Sequence, residues 1–243
     1  MDKPNYQYQL IYPGGNLTAI VTSVVPGEQY QVINDEILHK HPQCEQVGFI
    51  QEIKENRCRF SMAGGEFCGN ACRCIAYLMH KQYKYKQSVI EINRIKLIGD
   101  ANSKSSKIII KYADLIKGIE SIEYDTYLVR MAGICHVVIL PTSIYYREKA
   151  SKQYVRGLLR KFKINSPATG LIFVDSNRHI HPYVFVQKVN TLYYETACGS
   201  GTIAAGIILN KRTKIKQPSG DTFVVDATKE TIELGGPVKD WTE

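Results

Sequence analysis

The chain has 243 residues, of which 44% are hydrophobic and 22% charged, with a formal net charge of +8 at neutral pH. That composition supports a sizeable core and excludes a disordered or fibrous chain. No apolar run approaches the roughly 20 residues that a membrane-spanning helix needs, and seven cysteines at irregular spacing, in a chain too large to need disulfide staples, point to a reducing, cytoplasmic setting.

The first residues, MDKPNYQYQLIYPGG, are polar and hold no apolar signal core, so a chain without an export signal is expected. Short extended segments then dominate. YQYQLIYP (6–13), LTAIVTSVV (17–25), QVGFIQEI (46–53) and CRFSMAG (58–64) read as strands punctuated by Pro and Gly. CRCIAYLMHK (72–81) reads as a helix, followed by strands VIEINRIKLIG (89–99) and KIIIKYA (107–113). A second series starts near residue 119 with YLVRMAG (127–133) and HVVILP (136–141). A helical stretch over 147–163 follows, with Val155, Leu158, Leu159 and Phe162 on one face. Strands LIFVDSN (171–177) and YVFVQKV (183–189), a helix TIAAGIILNK (202–211), and strands TFVVDA (222–227) and TIELGG (231–236) complete the series. The basic clusters HKQYKYK (80–86), RGLLRKFK (156–163) and NKRTKIK (210–216) read as solvated faces and helix ends, where Lys and Arg suit the C-terminal dipole, rather than as a nucleic-acid surface.

A duplication runs through this order. Around Cys68 the chain reads strand, EFCGNA, short helix; around Cys198 it reads strand, ETACGSG, short helix. Both helices are apolar nearly all round, the pattern of a helix enclosed on every side. The expected architecture is α+β, two pseudo-symmetric halves, each with strands wrapped around a central helix. One half, 1–116, carries Cys68 and the other, 117–243, carries Cys198.

A Cys-Gly pair at a helix start has specific chemistry. The helix N-terminus carries unpaired N–H groups and about half a positive charge, which lowers a thiol's pKa from its free value of about 8.5 and holds a carboxylate. Gly after the Cys lets a ligand approach the backbone. Two such helix starts face to face would cradle one carboxylate with a thiol on each side of the adjoining carbon. One thiolate would remove an α-proton and the opposite thiol would return one to the other face, with no metal or organic cofactor. Cys44, Cys58, Cys72, Cys74 and Cys135 read as small core residues. The spacing C-x3-C-x-C of Cys68, Cys72 and Cys74 lacks the paired C-x2-C of structural zinc sites.

FSMAGGEFCGNACRC and ETACGSG resemble the two signature segments of the diaminopimelate epimerases and their relatives, the cofactor-independent two-cysteine racemases. PGGNLTA, CEQVGFI, GICHVVI and QPSGD resemble further segments of that family, in order along almost the whole chain. The resemblance implies the fold described above, with the last strand (about 231–243) returning to the first half. It also implies that Cys68 and Cys198 are the acid/base thiols, that Asn16 and Gln46 sit at the substrate, and that backbone N–H groups of Gly69, Asn70, Gly199 and Ser200 hold the α-carboxylate. Glu195 would contact the substrate ammonium, and His136 would support the site rather than react. Relatives of this kind pair as homodimers.

The departures from the family pattern concern the substrate. Ser61-Met62, Ile134-Cys135 and Leu171 stand where the epimerases place Asn side chains, and no Arg or Lys occurs between Lys188 and Lys211, so the expected Arg near Val189-Asn190-Thr191 is missing. A buried distal carboxylate without partners would cost several kcal/mol, which disfavours diaminopimelate. MAGGEFCGNA most resembles the histidine racemases that supply D-histidine for staphylopine-type opine metallophores. The resulting expectation is a racemase converting L-histidine to D-histidine, with Glu45, Glu195, Tyr193 and Tyr194 as candidates to hold the imidazole. The competing readings are a racemase for another amino acid, a phenazine-type isomerase (a family that usually lacks the second Cys), a non-catalytic small-molecule binder and a thiol redox sensor.

Overall fold

A computed structural model of the chain describes residues 5–187, 190–210 and 212–242. Lys188, Val189 and Lys211, which bracket the place of the missing arginine, lie outside the described residues.

The first run of elements is β1 (Tyr8–Tyr12), β2 (Leu17–Val21), α1 (Tyr30–Lys40), β3 (Cys44–Lys54), β4 (Arg57–Met62), α2 (Gly69–Tyr83), β5 (Gln87–Ile92), β6 (Ile95–Ala101), β7 (Ser105–Lys111) and a single turn, α3 (Tyr112–Leu115). The second run is β8 (Ile116–Glu123), β9 (Thr126–Met131), β10 (Ile134–Ile139), α4 (Lys152–Phe162), β11 (Ala168–Val174), β12 (Ile180–Val186), β13 (Thr191–Tyr194) and α5 (Gly199–Ile208). The chain closes with β14 (Thr213–Lys216), β15 (Thr222–Ala227), β16 (Thr231–Pro237) and β17 (Lys239–Asp240). The class is α+β, with strands in the majority, as the sequence patterns indicate.

The all-round apolar helices α2 and α5 sit inside strand shells. In α2 every residue from Gly69 to Met79 is buried, and in α5 every residue from Gly199 to Gly206. Strands β2, β5, β6 and β7 pack on α2, while β10, β11, β14, β15 and β16 pack on α5. Hydrogen bonding does not divide the strands evenly. Among the described residues, one sheet has eleven strands in the order β14-β15-β16-β7-β6-β5-β4-β3-β2-β1-β17, and the other has six, β13-β12-β11-β10-β9-β8. The reason is β16, which pairs antiparallel with β7 along its whole length, from Thr231 opposite Lys111 to Pro237 opposite Ser105. The strands after α5 thus close that helix's shell while bonded to the first half, and β17 pairs with β1.

In the smaller sheet β10 and β11 are buried on both faces. Ile134, Val138 and Ile172 face α5, while Cys135, Val137, Ile139, Leu171 and Phe173 face the cluster containing Val155 and Leu158 of α4. This explains why these strands read as continuous apolar runs. Helix α4 fits its amphipathic pattern and is capped by Ser151, whose hydroxyl accepts from the Tyr154 N–H at 3.1 Å.

Three local readings change. Residues 30–40 form α1, a helix that the sequence patterns did not reveal. Its fully buried residues are Ile33 and Ile37, four residues apart in one cluster with Leu17 and Phe49, and the partly buried Tyr30 and Leu38 pack against that cluster. VIEINRIKLIG is a hairpin, not one strand, because Asn93 and Arg94 take positive φ of 51° and 65°, a tight turn whose twist suits antiparallel strands. The strand expected to run through residue 113 ends at Lys111, where α3 begins.

Arg73 joins the parts. Fully buried on α2, it donates to the carbonyls of Pro13 at 3.0 Å, Pro237 at 2.6 Å and Ser106 at 3.3 Å, and stacks over Phe223 at 4.4 Å. Burial lowers its pKa to about 10, so it stays charged at neutral pH. A single guanidinium therefore ties α2 to the loop before β2 and to the returning C-terminal strand.

Candidate active site

Cys68 and Cys198 are the N-caps of α2 and α5, with nearly the same backbone angles (φ −127°, ψ 109° and φ −126°, ψ 105°). Each sulfur accepts a hydrogen bond from the N–H three residues on, Ala71 and Gly201, both at 3.3 Å. The first N–H groups of a helix have no intrahelical acceptor. At Gly69, Asn70, Gly199 and Ser200 these groups border the same cavity as both cysteines.

The two helix starts touch. A Cβ built on Gly69 would lie 3.3 Å from the Gly199 carbonyl carbon, and one on Gly199 would lie 3.0 Å from the Asn70 amide nitrogen. Only glycine at these positions lets the backbones approach so closely. Side chains from both halves lock the junction. Asn16 and Asn70 donate through their Nδ2 groups to one acceptor, the Ala197 carbonyl, at 2.9 and 3.1 Å. The Asn16 N–H donates to the Thr196 hydroxyl at 2.6 Å, and the Thr196 N–H and hydroxyl donate to the Glu45 carboxylate.

The thiols have different neighbours. Cys68 donates to Gln46 Oε1 at 3.0 Å, and Gln46 Nε2 donates onward to the Thr18 hydroxyl at 2.7 Å. Cys198 has the Ser200 hydroxyl 3.7 Å from its sulfur and shares the cavity wall with the Glu195 carboxylate. Gln217 holds the Cys198 backbone N–H at 3.0 Å and donates to Thr202 at 2.9 Å. Burial pushes both thiols up, and so do the carboxylates beside them, Glu66 and Glu195 at Cys68 and Glu195 at Cys198. The expected lowering of thiol pKa by the helix N-termini is therefore overturned. Desolvation and negative neighbours outweigh the dipole here.

The cavity has a volume of about 450 Å³. Its walls carry four carboxylates, Asp35, Glu45, Glu66 and Glu195, and among the described residues no Lys, Arg or His. Burial raises Glu45 and Glu66, and it pushes Glu195 up to about 8, helped by the charges of Glu45 and Glu66. Glu66 Oε2 is buried and has no hydrogen-bond partner within the protein. Ile134, Val184 and Val186 form an apolar wall. The space suits a compact solute with one carboxylate at the helix starts and positive or proton-donating groups elsewhere.

All nine residues expected at the site border this cavity: Cys68, Cys198, Asn16, Gln46, Gly69, Asn70, Glu195, Gly199 and Ser200. Of the side chains considered for the imidazole, Glu45, Glu195 and Tyr193 line it. Tyr194 does not, because the next residue on a strand faces the other way, and its hydroxyl meets His181 Nδ1 at 3.0 Å. Of the positions that replace the epimerase Asn residues, Ile134 lines the cavity, whereas Leu171 faces the cluster under α4. His136 is fully buried beneath the site against Gly170, and burial lowers its pKa to about 3. Sequence reasoning missed Gln31, Asn34, Asp35 and Leu38, which α1 brings to the cavity. The available signal was Ile33 and Ile37 at helical spacing within a polar stretch.

The sequence profile of a family described as the histidine racemase CntK N-terminal domain matches residues 6–234. A histidine racemase of Fusobacterium nucleatum subsp. nucleatum is 31% identical, over 93% of this chain and 93% of its own length. A histidine racemase of Staphylococcus aureus is 25% identical, over 97% of this chain and 93% of its own. Among solved structures, a phenazine biosynthesis protein of the PhzF family from Bacillus anthracis superposes with a TM-score of 0.66 at 13% identity, covering 98% of this chain and 96% of that one. That likeness concerns the fold alone.

Proposed function

We infer the activity from one premise: the chain belongs to the histidine racemase family. It is an isomerase that interconverts the enantiomers of histidine. The observation that carries our reading of how it does so is the juxtaposition of two cysteine N-caps on abutting helices.

In this reading the substrate α-carboxylate docks on the N–H groups of Gly69, Asn70, Gly199 and Ser200, at the positive ends of α2 and α5. The α-carbon then lies between the sulfurs of Cys68 and Cys198. One sulfur removes the α-proton and the other supplies a proton to the opposite face, which inverts the centre. As the proton leaves, charge flows into the carboxylate, where the fixed N–H groups and helix dipoles stabilise it without reorganising. Every step uses groups of the protein. The carboxylates of Glu45, Glu66 and Glu195 complement the ammonium and the imidazole N–H. A bound ammonium beside them also offsets the negative field that raises both thiols. Asn16 and Gln46 hold the frame, through Ala197 and Cys68 respectively.

The chain in this reading divides into a half of 1–116 bearing Cys68 and a half of 117–243 bearing Cys198, with the last strand returned to the first. The protein acts as a cytoplasmic homodimer on a free amino acid, with no nucleic-acid or membrane partner, to supply D-histidine for an opine metallophore. Among the described residues no helix is long and apolar enough to cross a membrane. The test is incubation of reduced, extensively dialysed protein with L-histidine, followed by chiral chromatography. D-histidine should accumulate to an equal mixture. An unchanged L-histidine peak, with all thiols confirmed free, would sink the assignment.

A further inference from the structure

Four residues that border the cavity carry a buried polar side-chain atom with no hydrogen-bond partner among the described residues: Asn16 Oδ1, Asn70 Oδ1, Glu66 Oε2 and Thr191 Oγ1. A buried polar group left unpaired costs free energy, so such atoms on a cavity wall point to partners on the ligand. The two amide oxygens belong to the side chains that bond Ala197 at the junction of the helix starts, where the α-centre docks. The other two meet at a different corner. Thr191 of β13 pairs with Val186 of β12, and two residues on, Tyr193 pairs with Val184. Strand alternation puts these four side chains on one face, and all four line the cavity. A Cβ built on Gly64 would lie 3.7 Å from Val186 Cγ1 and would collide with Glu66 Oε2. The missing side chain of Gly64 thus leaves room for the Glu66 carboxylate, and Val186 neighbours both that carboxylate's corner and Thr191.

We propose that Glu66 and Thr191 together hold the substrate's imidazole and determine the side-chain specificity of the enzyme. This rests on the racemase reading above and carries it from the α-centre to the side chain. A neutral imidazole has one N–H donor and one bare ring nitrogen that accepts. An ionised carboxylate only accepts, and a hydroxyl donates. Glu66 Oε2 takes the ring N–H and the Thr191 hydroxyl donates to the other ring nitrogen. One ring satisfies both orphaned atoms, and it is bound as one tautomer. The faces of the ring lie on the apolar wall of Ile134, Val184 and Val186, a surface that suits an aromatic ring and not an ammonium group. Glu45 and Glu195 remain for the ammonium. A side chain of the same shape without a donor and an acceptor leaves Glu66 Oε2 and Thr191 Oγ1 buried and unpaired again, and sites built this way reject such analogues strongly.

The experiment measures kcat and KM for L-histidine, and the inhibition constant of L-2-thienylalanine, whose five-membered aromatic ring has no N–H. It compares wild type, Thr191→Val, Thr191→Ser and Glu66→Gln, with the fold checked by circular dichroism. Thr191→Val keeps the shape and removes the hydroxyl. It should raise KM by about 10-fold, the usual size of a neutral hydrogen bond, with little change in kcat, and Thr191→Ser should recover most of that affinity. Glu66→Gln should lower kcat/KM by about 10- to 100-fold, as for a hydrogen bond to a charged group. Thienylalanine should bind wild type at least about 10²-fold more weakly than histidine. Its inhibition constant should hold or fall in Thr191→Val, where a methyl group replaces an unpaired hydroxyl. Overturning results are an unchanged KM for histidine in Thr191→Val, a KM and an inhibition constant that rise together, the mark of a misshapen cavity, or a wild type that binds thienylalanine as tightly as histidine. A wild type that racemises no histidine would instead defeat the reading of the activity.

Discussion

Gly69 and Gly199 are in backbone contact across the two halves: the Cβ that Gly69 lacks would sit 3.4 Å from the Gly199 Cα. This contact sets the spacing of the two thiols, since each glycine directly follows one of them. Gly199→Ala places its methyl 3.0 Å from the Asn70 nitrogen, so one helix start must shift. Displacements near 1 Å cost on the order of 10²-fold in rate. The added methyl calls for a shift of a few tenths of an ångström, so we expect kcat/KM to fall by less than that factor while the circular dichroism spectrum stays that of wild type.

Removal of either sulfur leaves one face of the α-carbon without an acid/base group. Cys68→Ser and Cys198→Ser should each lower racemisation by at least about 10³-fold, because a serine hydroxyl is far less acidic than a thiol. Chiral chromatography after long incubation reads the residual rate. Near-normal turnover in either variant would rule out a two-thiol mechanism.

The Cys68–Gln46–Thr18 chain orients one thiol. Gln46→Leu removes the acceptor at 3.0 Å and leaves the Thr18 hydroxyl without its donor. A loss in kcat of about 10- to 100-fold is expected, with a smaller effect on KM. Gln46→Glu supplies a charged acceptor in its place, and activity recovered in that variant would show that an oxygen at this position matters more than the amide.

The cavity should reject diaminopimelate. A distal carboxylate would meet Ile134, Val184 and Val186 or the carboxylates of Glu45, Glu66 and Glu195, and an unpaired buried charge costs several kcal/mol. Discrimination of at least about 10³-fold in kcat/KM against histidine is expected, read by α-proton exchange in parallel tubes.

His136 gives the protein an acid limit. Its pKa is near 3 in the folded state against an ordinary value of 6.5, so the unfolded chain binds a proton that the folded one refuses. Its contribution to stability is complete above pH 6.5 and is lost as pH falls through that window toward 3. The thermal midpoint should drop over this range, and His136→Gln, which never charges, should show a shallower drop. Equal slopes in the two proteins would contradict the burial of a neutral imidazole.

Much of this site was legible in the sequence because its chemistry is local. Cys68-Gly69-Asn70 and Cys198-Gly199-Ser200 are contiguous motifs at the starts of two apolar helices, and their pairing follows from the duplication. What depends on distant contacts was not legible. The return of β16 to β7 joins residues more than a hundred positions apart and leaves no local mark, so the family resemblance, and no residue pattern, pointed to a last strand returning to the first half. Helix α1 was hidden because it fully buries only Ile33 and Ile37. Leu171 stands at the site by the family pattern and Tyr194 as a candidate beside the second cysteine motif, and the alternation of a strand turns both away. The thiol pKa direction was misjudged for the same reason. A helix start is visible in a motif, whereas the burial and the carboxylates of Glu66 and Glu195 around it exist only once the chain has folded.

The measurement that tests the two-thiol mechanism most directly is deuterium incorporation from L-histidine in heavy water, sampled early and resolved by enantiomer. If Cys68 and Cys198 work on opposite faces, the D-histidine formed carries deuterium at the α-carbon while the remaining L-histidine keeps its proton. Deuterium appearing equally in the unreacted L-histidine would mean that one group serves both faces, and would contradict a division of labour between the two thiols.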